Sequence, residues 1–361
     1  MTLYDIILRS AYSGLKLFRS DGSLPPGHNG PYHDAETPTR NTAHWLIMFA
    51  KAHEISGVSE FHVAVERCAN YIVGEDAFPE SKAFHCRNDP HKDSTNGLIG
   101  QAWCFEALSM ASALLGDKKY IAMAIDVYRR HPFERKFGLW RRIEIDGEPM
   151  DFDLTFNHQL WFAACSMLLS NADNEIATDV AEFLSMTNKT LLIRKTGRIA
   201  HAVPFSAVDS KLKAVLKDIR QALRSNKKIR THNFLREVGY HQFNLYAFGI
   251  LHESMPEHPI WKDDRIKRAL RFIESDEFLA NIGSSQYGYP YNPPGFECAF
   301  AISSFETHFE KPHKKMRRWV QSQIDNCIDR KTWLMSRNAS DINTCSARIY
   351  EAVRLPDMEL I

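Results

Sequence analysis

Two short runs carry the strongest chemical signal in the chain: His91-Lys92-Asp93 with Asn96 just beyond, and Asp153-Leu-Thr-Phe-Asn157 followed by His158. Each sets a carboxylate ahead of a long apolar segment, and the two aspartates are 60 residues apart. Paired carboxylates at equivalent points of successive units suit acid–base work on a sugar, one exchanging a proton while the other orients the ring. Comparable groups precede or open the remaining apolar segments. His33, Asp34, Asn41, His44 and Trp45 belong to the first, and Arg87, Gln101 and Trp103 join Asp93 at the second. Glu237, Tyr240, His241 and Gln242 mark the fourth, with Tyr291, Asn292 and Glu297 at the fifth. Sugars offer hydroxyls to hydrogen-bond and C–H faces to stack upon, so amides, histidines, aromatics and carboxylates on one rim make a carbohydrate site. Taken singly, such residues are more often helix caps or satisfied core groups. Their recurrence at the same point of every unit has no purely structural reason.

Helices must position them, because apolar residues recur at helical spacing from end to end. Segments from about residues 41, 96, 154, 239, 294 and 343 are apolar almost all round, as helices enclosed by other elements are. Segments near the start and from about residues 60, 117, 174, 263 and 314 keep a polar face. The alternation predicts six helical hairpins closed into an all-α (α/α)6 toroid, one catalytic domain over residues 1–361 with few or no strands. Gly116-Asp117 and Asn171 to Asp173 read as a helix stop and the next start. Parallel inner helices would bring their positive N-terminal ends to one face. Residues 209–230 read as a further basic amphipathic helix inserted between the third and fourth hairpins: a lid, a subunit contact or a long connection.

With 45 basic and 44 acidic side chains the formal charge is +1, which excludes a nucleic-acid binder driven by bulk electrostatics. Basic residues are expected on outer helices and on 209–230, with acids facing the funnel. Seven scattered cysteines without C-x-x-C spacing suggest neither disulfides nor zinc. No stretch reads as a secretion signal or a membrane span, so a cytoplasmic protein without a membrane partner is expected. Nothing calls for a cofactor or a bound metal.

With these motifs the sequence resembles the six-hairpin glycosidases, and within them the unsaturated glucuronyl hydrolases. The likeness lies in the H-x-D-like turn ending at Asp93, the D-x-x-x-N turn from Asp153 to Asn157, and Gly239-Tyr-His-Gln242 as a looser echo of a Gly-Gln-Ala-Trp element. It implies an enzyme cleaving a uronic-acid-containing oligo- or polysaccharide. Asp153 would be a general acid/base of raised pKa protonating a C4=C5 vinyl ether, and Asp93 would hold the ring. His158, His241 and Arg87 would meet the substrate carboxylate. Other chemistries fit the same rim. Glu237 or Glu297 with either aspartate would serve ordinary glycoside hydrolysis. Tyr240, His241, Asn157, His158 and Tyr291 would serve a polysaccharide lyase, and a sugar epimerase or a non-enzymatic sugar-binding ring stays open.

Overall fold

The computed structural model describes residues 1–208 and 226–361. Outer helices α1 (Leu3–Leu15), α3 (Ser59–Ile72), α5 (Lys119–Arg130), α7 (Asn174–Ser185), α9 (Asp264–Phe272) and α11 (Pro312–Cys327) alternate with inner ones. The inner set is α2 (Thr39–Ser56), α4 (Gly97–Leu115), α6 (Phe156–Met167), α8 (Lys227–Ser254), α10 (Pro294–Ser304) and α12 (Ile342–Ala347). This is the alternation of the expected toroid. In α10 every residue from Pro294 to Ile302 is buried, whereas α9 buries only Ile266, Ala269, Leu270 and Phe272. The all-round apolar sequences are therefore the enclosed ones.

Local signals set the ends. Thr2 and Asp5 form a reciprocal capping box on α1, and Asp173 accepts from Glu175 N to start α7. Gly57 and Gly116 end α2 and α4 in the left-handed conformation. The ring closes through its termini: Leu3 N donates to Met358 O and Leu360 N to Met1 O, while Arg354 pairs with Glu106 on α4.

One detail differs from the sequence reading. Helix α8 starts at Lys227, capped by Asn226, more than three turns before Gly239, so residues 227–230 are its first turn and not the tail of a separate helix. The rest of the expected insertion, residues 209–225, lies outside the described residues. Between α5 and α6 the chain forms an antiparallel sheet of β1 (Phe133–Glu134), β2 (Leu139–Ile143) and β3 (Pro149–Phe152). Its register slips between Arg141 and Ile143, at the residue that carries Arg142 to the rim. All seven cysteines are free and buried, and burial pushes the Cys104 and Cys165 thiols well up. Helix α4 is long and apolar enough to cross a membrane by length and composition, and it is an inner helix of this ring with 67% of its most apolar window buried.

Candidate active site

The start of α4 gathers the two aspartates. Asn96 and Gly97 both adopt left-handed backbone, φ 56° and 60°, at the turn that leads into the helix. Gly97 N donates to Asp93 Oδ1 at 2.6 Å, and Leu98 N to Asp153 Oδ2 at 3.3 Å. A Cβ on Gly97 would lie 2.4 Å from Asp153 Oδ2 and 3.3 Å from His158 Nδ1, so glycine alone allows this approach. One helix N-terminus thus serves carboxylates from two successive hairpins.

Both carboxyls are held ionised. Burial pushes Asp153 up, but the charge and hydrogen bond of His158, the Thr155 amide and Arg142 outweigh it, leaving the group at about 2. For Asp93 the same burial is overcome by Arg87, the Gly97 amide, Arg142 and the Thr95 hydroxyl, and its pKa falls below the usual carboxylate value. The raised acid expected at Asp153 is therefore not what this geometry produces. Asp153 Oδ2 lies 2.8 Å from His158 Nδ1. An ionised carboxylate can only accept, so Nδ1 carries the hydrogen and Nε2 is the ring nitrogen left to exchange a proton with a ligand.

His158 stands where two cavities meet. The enclosed one, about 280 Å³, lies toward the ring axis, and the more open one, about 620 Å³, lies over the sheet; they share Arg87, Lys92, Asn96, Thr155 and His158. Tyr32, Trp103, Tyr240, Phe243 and Tyr291 give the enclosed cavity aromatic walls. Tyr240 donates to Tyr32 Oη at 3.0 Å and Tyr291 to Asn29 Oδ1 at 2.6 Å. Burial raises both phenols, so they stay neutral. Asn157 Oδ1 and His201 Nδ1 are buried in this cavity without a partner.

Acids line the cavities as expected, but arginines and a lysine outnumber them there, although basic residues were expected on the outer helices. Arg40, Arg87, Lys92, Arg142, Arg236 and Arg348 face Asp34, Asp93, Asp153 and Glu144. Arg40 is 2% exposed, pairs with Glu36 at 3.0 Å and stacks over Trp103 at 4.2 Å. Arg348 pairs with Glu297 at 2.8 Å and Glu351 at 2.6 Å. Arg87 spends its donors inside the protein, from Nε to Asp93 O and from Nη2 to Asp93 Oδ2, both at 2.9 Å. It cannot also clamp a substrate carboxylate in bidentate fashion. Sequence reading passed over Arg40, Tyr32, Arg142, His201 and Arg236. Arg40 looked like an ordinary charge in a helix, and Arg236 falls between the supposed insertion and Gly239.

Of the residues singled out from sequence, Asp34, Arg87, His91, Lys92, Asp93, Asn96, Trp103, Asp153, Asn157, His158, Tyr240 and Tyr291 line these cavities. The rest do not, and each has another physical task. Gln101 grips the backbone of Phe84, accepting from its N at 2.8 Å and donating to its O at 2.9 Å. Gln159 repeats that grip on Trp140 from α6. His241 accepts from Ile199 N and donates to Ala269 O, and burial holds it neutral at about 3. Gln242 donates to Gly239 O, Asn292 to Gly239 O and Tyr287 O, and Asn41 to Pro25 O. Trp45 packs on Phe49 in the core, and His44 stacks on Tyr350 with both ring nitrogens unpartnered. His33 stacks on His28 beside the rim. Glu237 is taken up by Arg194 at 2.5 Å and Arg198 at 2.9 Å, and Glu297 by Arg348. Among the described residues no group of three His, Cys, Asp or Glu side chains is placed to hold a metal.

The ring is shared with solved structures of differing activity. Cellobiose 2-epimerase from Bacillus thermoamylovorans superposes with a TM-score of 0.69, covering 94% of both chains at 12% identity. A heparin-specific unsaturated glucuronyl hydrolase does so at 0.64, covering 98% of this chain and 95% of its own, also at 12% identity. These likenesses establish the six-hairpin fold, and the glucuronyl hydrolase is one of several equal neighbours, not a privileged one. No family model matches the sequence. Archaeal glycosylation protein Q of Haloferax volcanii, in contrast, is 39% identical over 373 aligned positions that span 99% of each chain. At that identity and coverage, the chain belongs to the family of archaeal glycosylation protein Q.

Proposed function

We propose that the protein is a glycan-processing enzyme, one catalytic domain acting on a uronate-bearing oligosaccharide, with proton transfer through His158 backed by Asp153. The observation that carries this reading is the 2.8 Å contact between Asp153 Oδ2 and His158 Nδ1 at the junction of the two cavities. It fixes the tautomer and leaves Nε2 as the nitrogen free to serve a ligand in the cavities that His158 lines. The cations favour an anionic sugar, and the tyrosines and Trp103 offer faces for a ring. Membership in a glycosylation-protein family and a fold shared with glucuronyl hydrolases agree with it.

In the hydrolytic form, protonated His158 gives its proton to C4 of a C4=C5 bond and water adds at C5, returning its proton to the His158 imidazole. The resulting hemiketal opens and expels the neighbouring sugar. Asp153 stabilises the imidazolium, and Asp93 holds Arg87 and Arg142 in place beside it. A second reading draws on His201, which burial and Arg236 hold well below the usual histidine range. A neutral His201 on the cavity that His158 also lines suits removal and return of a C5 proton, the step of a lyase or an epimerase. Incubation with saturated and 4,5-unsaturated uronate oligosaccharides, read by ultraviolet absorbance, separates the readings. Loss of the C4=C5 signal supports hydrolysis and its appearance supports a lyase. A C5-inverted product without absorbance change supports an epimerase, and no turnover of any uronate sinks the proposal.

A further inference from the structure

We infer that Arg236 is the residue that receives the substrate carboxylate, with His201 as its hydrogen-bonding companion, so that the enclosed cavity distinguishes a uronate from the matching neutral hexose. The inference rests on the uronate reading above and adds the residue that decides it.

The cations around the cavities are not equivalent. Arg40 is matched by Glu36, Arg87 by Asp34 and Asp93, Lys92 by Asp34 and Asp89, Arg142 by Asp93, and Arg348 by Glu297 and Glu351. Arg236 forms no ion pair among the described residues; its Nη2 donates to Asn233 Oδ1 at 3.2 Å, and its Nε is buried with no partner. Arg236 is half-buried, and a guanidinium partly withdrawn from water without a counter-charge gains most from a ligand that supplies one. His201 stands in the same condition, lining the same cavity with a buried Nδ1 that has no partner, and it lies close enough to Arg236 to be disfavoured as a cation. A carboxylate entering between them would answer the Arg236 charge, and a neighbouring ring hydroxyl would answer His201.

The position explains the selectivity. Arg236 sits on the early part of α8, one turn before Tyr240, which stands against Tyr32 and Tyr287 on the aromatic side. A ring stacked on that side would turn its C6 carboxylate toward Arg236 and leave the adjoining C4–C5 edge in the cavity that His158 also lines. Its partner among the described residues, Asn233, is uncharged, so removal of Arg236 strands no buried carboxylate there and should leave the fold intact.

The test compares binding of a terminal glucuronosyl disaccharide with its carboxyl-reduced, neutral counterpart by titration calorimetry, for the wild type, Arg236→Lys and Arg236→Ala. The wild type should prefer the uronate by about ten- to hundred-fold, the span of a charge-assisted bidentate contact. Arg236→Ala should abolish that preference without weakening the neutral sugar, and Arg236→Lys should keep only part of it. A wild-type preference that survives in Arg236→Ala overturns the role of Arg236 and leaves the uronate reading standing. A wild type that binds both sugars equally overturns the uronate reading and this inference with it.

Discussion

Asp153 and Glu297 each lie at the start of an inner helix beside a cationic partner, yet they end in opposite states. Asp153 receives the Thr155 and Leu98 amides together with His158, and stays ionised at about 2. Glu297 shares the Arg348 guanidinium with Glu351 deep in the ring; burial and the neighbouring carboxyl push it well up, and burial also raises Glu351. The difference lies in the number of donors per carboxyl and in access to the cavity. Three donors for one carboxylate, with an imidazole left half open, make a proton-transfer pair. One guanidinium for two carboxyls, sealed from water, makes a scaffold that fixes Arg348 on the cavity wall.

The sharpest way to break this contrast is to neutralise one carboxyl on each side. Asp153→Asn should lower kcat by about a hundred- to ten-thousand-fold with KM little changed, as expected for loss of acid–base chemistry. Glu297→Gln should leave kcat near wild type in the same assay. Next in size, Arg348→Met strands two buried carboxyls and should cost about 3–5 kcal/mol in urea unfolding, whereas Glu297→Gln alone should cost far less.

The pH dependence of stability sharpens the contrast further, because the two sites should slope in opposite directions. Asp153 has a depressed folded-state pKa, so its contribution is present above the unfolded value near 4 and is lost as pH falls toward about 2. Urea unfolding should show about 2 kcal/mol between wild type and Asp153→Asn near neutrality, shrinking to nothing at the acid end. Glu297 is raised, so its contribution is present below the unfolded value and is lost as pH rises. Glu297→Gln should therefore gain on the wild type as pH increases. The smallest effect is expected at Glu237, because its removal strands no cation: Arg194 is 43% exposed and Arg198 keeps Glu277, so Glu237→Gln should shift stability by no more than about 1 kcal/mol.

Much of this was legible in the sequence, and its limits are physical. Apolar faces on a 3.6-residue period announce inner and outer helices, because burial demands them wherever the partner elements lie. The two aspartate turns were legible because each carboxylate serves a helix opening a few residues away. Arg40 with Tyr291 was not, since the contact joins positions 251 residues apart and neither residue breaks a local pattern. The strand Leu139–Ile143 was missed because Arg141 and Arg142 interrupt its apolar run. Gln101 and His241 misled for the opposite reason: a polar side chain at a helix start can clamp a backbone as readily as it can meet a sugar. The direction of the Asp153 shift depended on His158, the Thr155 amide and Arg142 converging on it, which spacing alone does not reveal.

The measurement closest to the centre of the account is turnover of a uronate oligosaccharide by His158→Gln. Glutamine can still donate to Asp153 and preserve the pair's geometry, but it cannot exchange a proton. The account predicts that binding persists while kcat falls by about a hundred-fold or more, with Glu237→Gln unchanged beside it. Full turnover by His158→Gln, or a comparable collapse in Glu237→Gln, would contradict it.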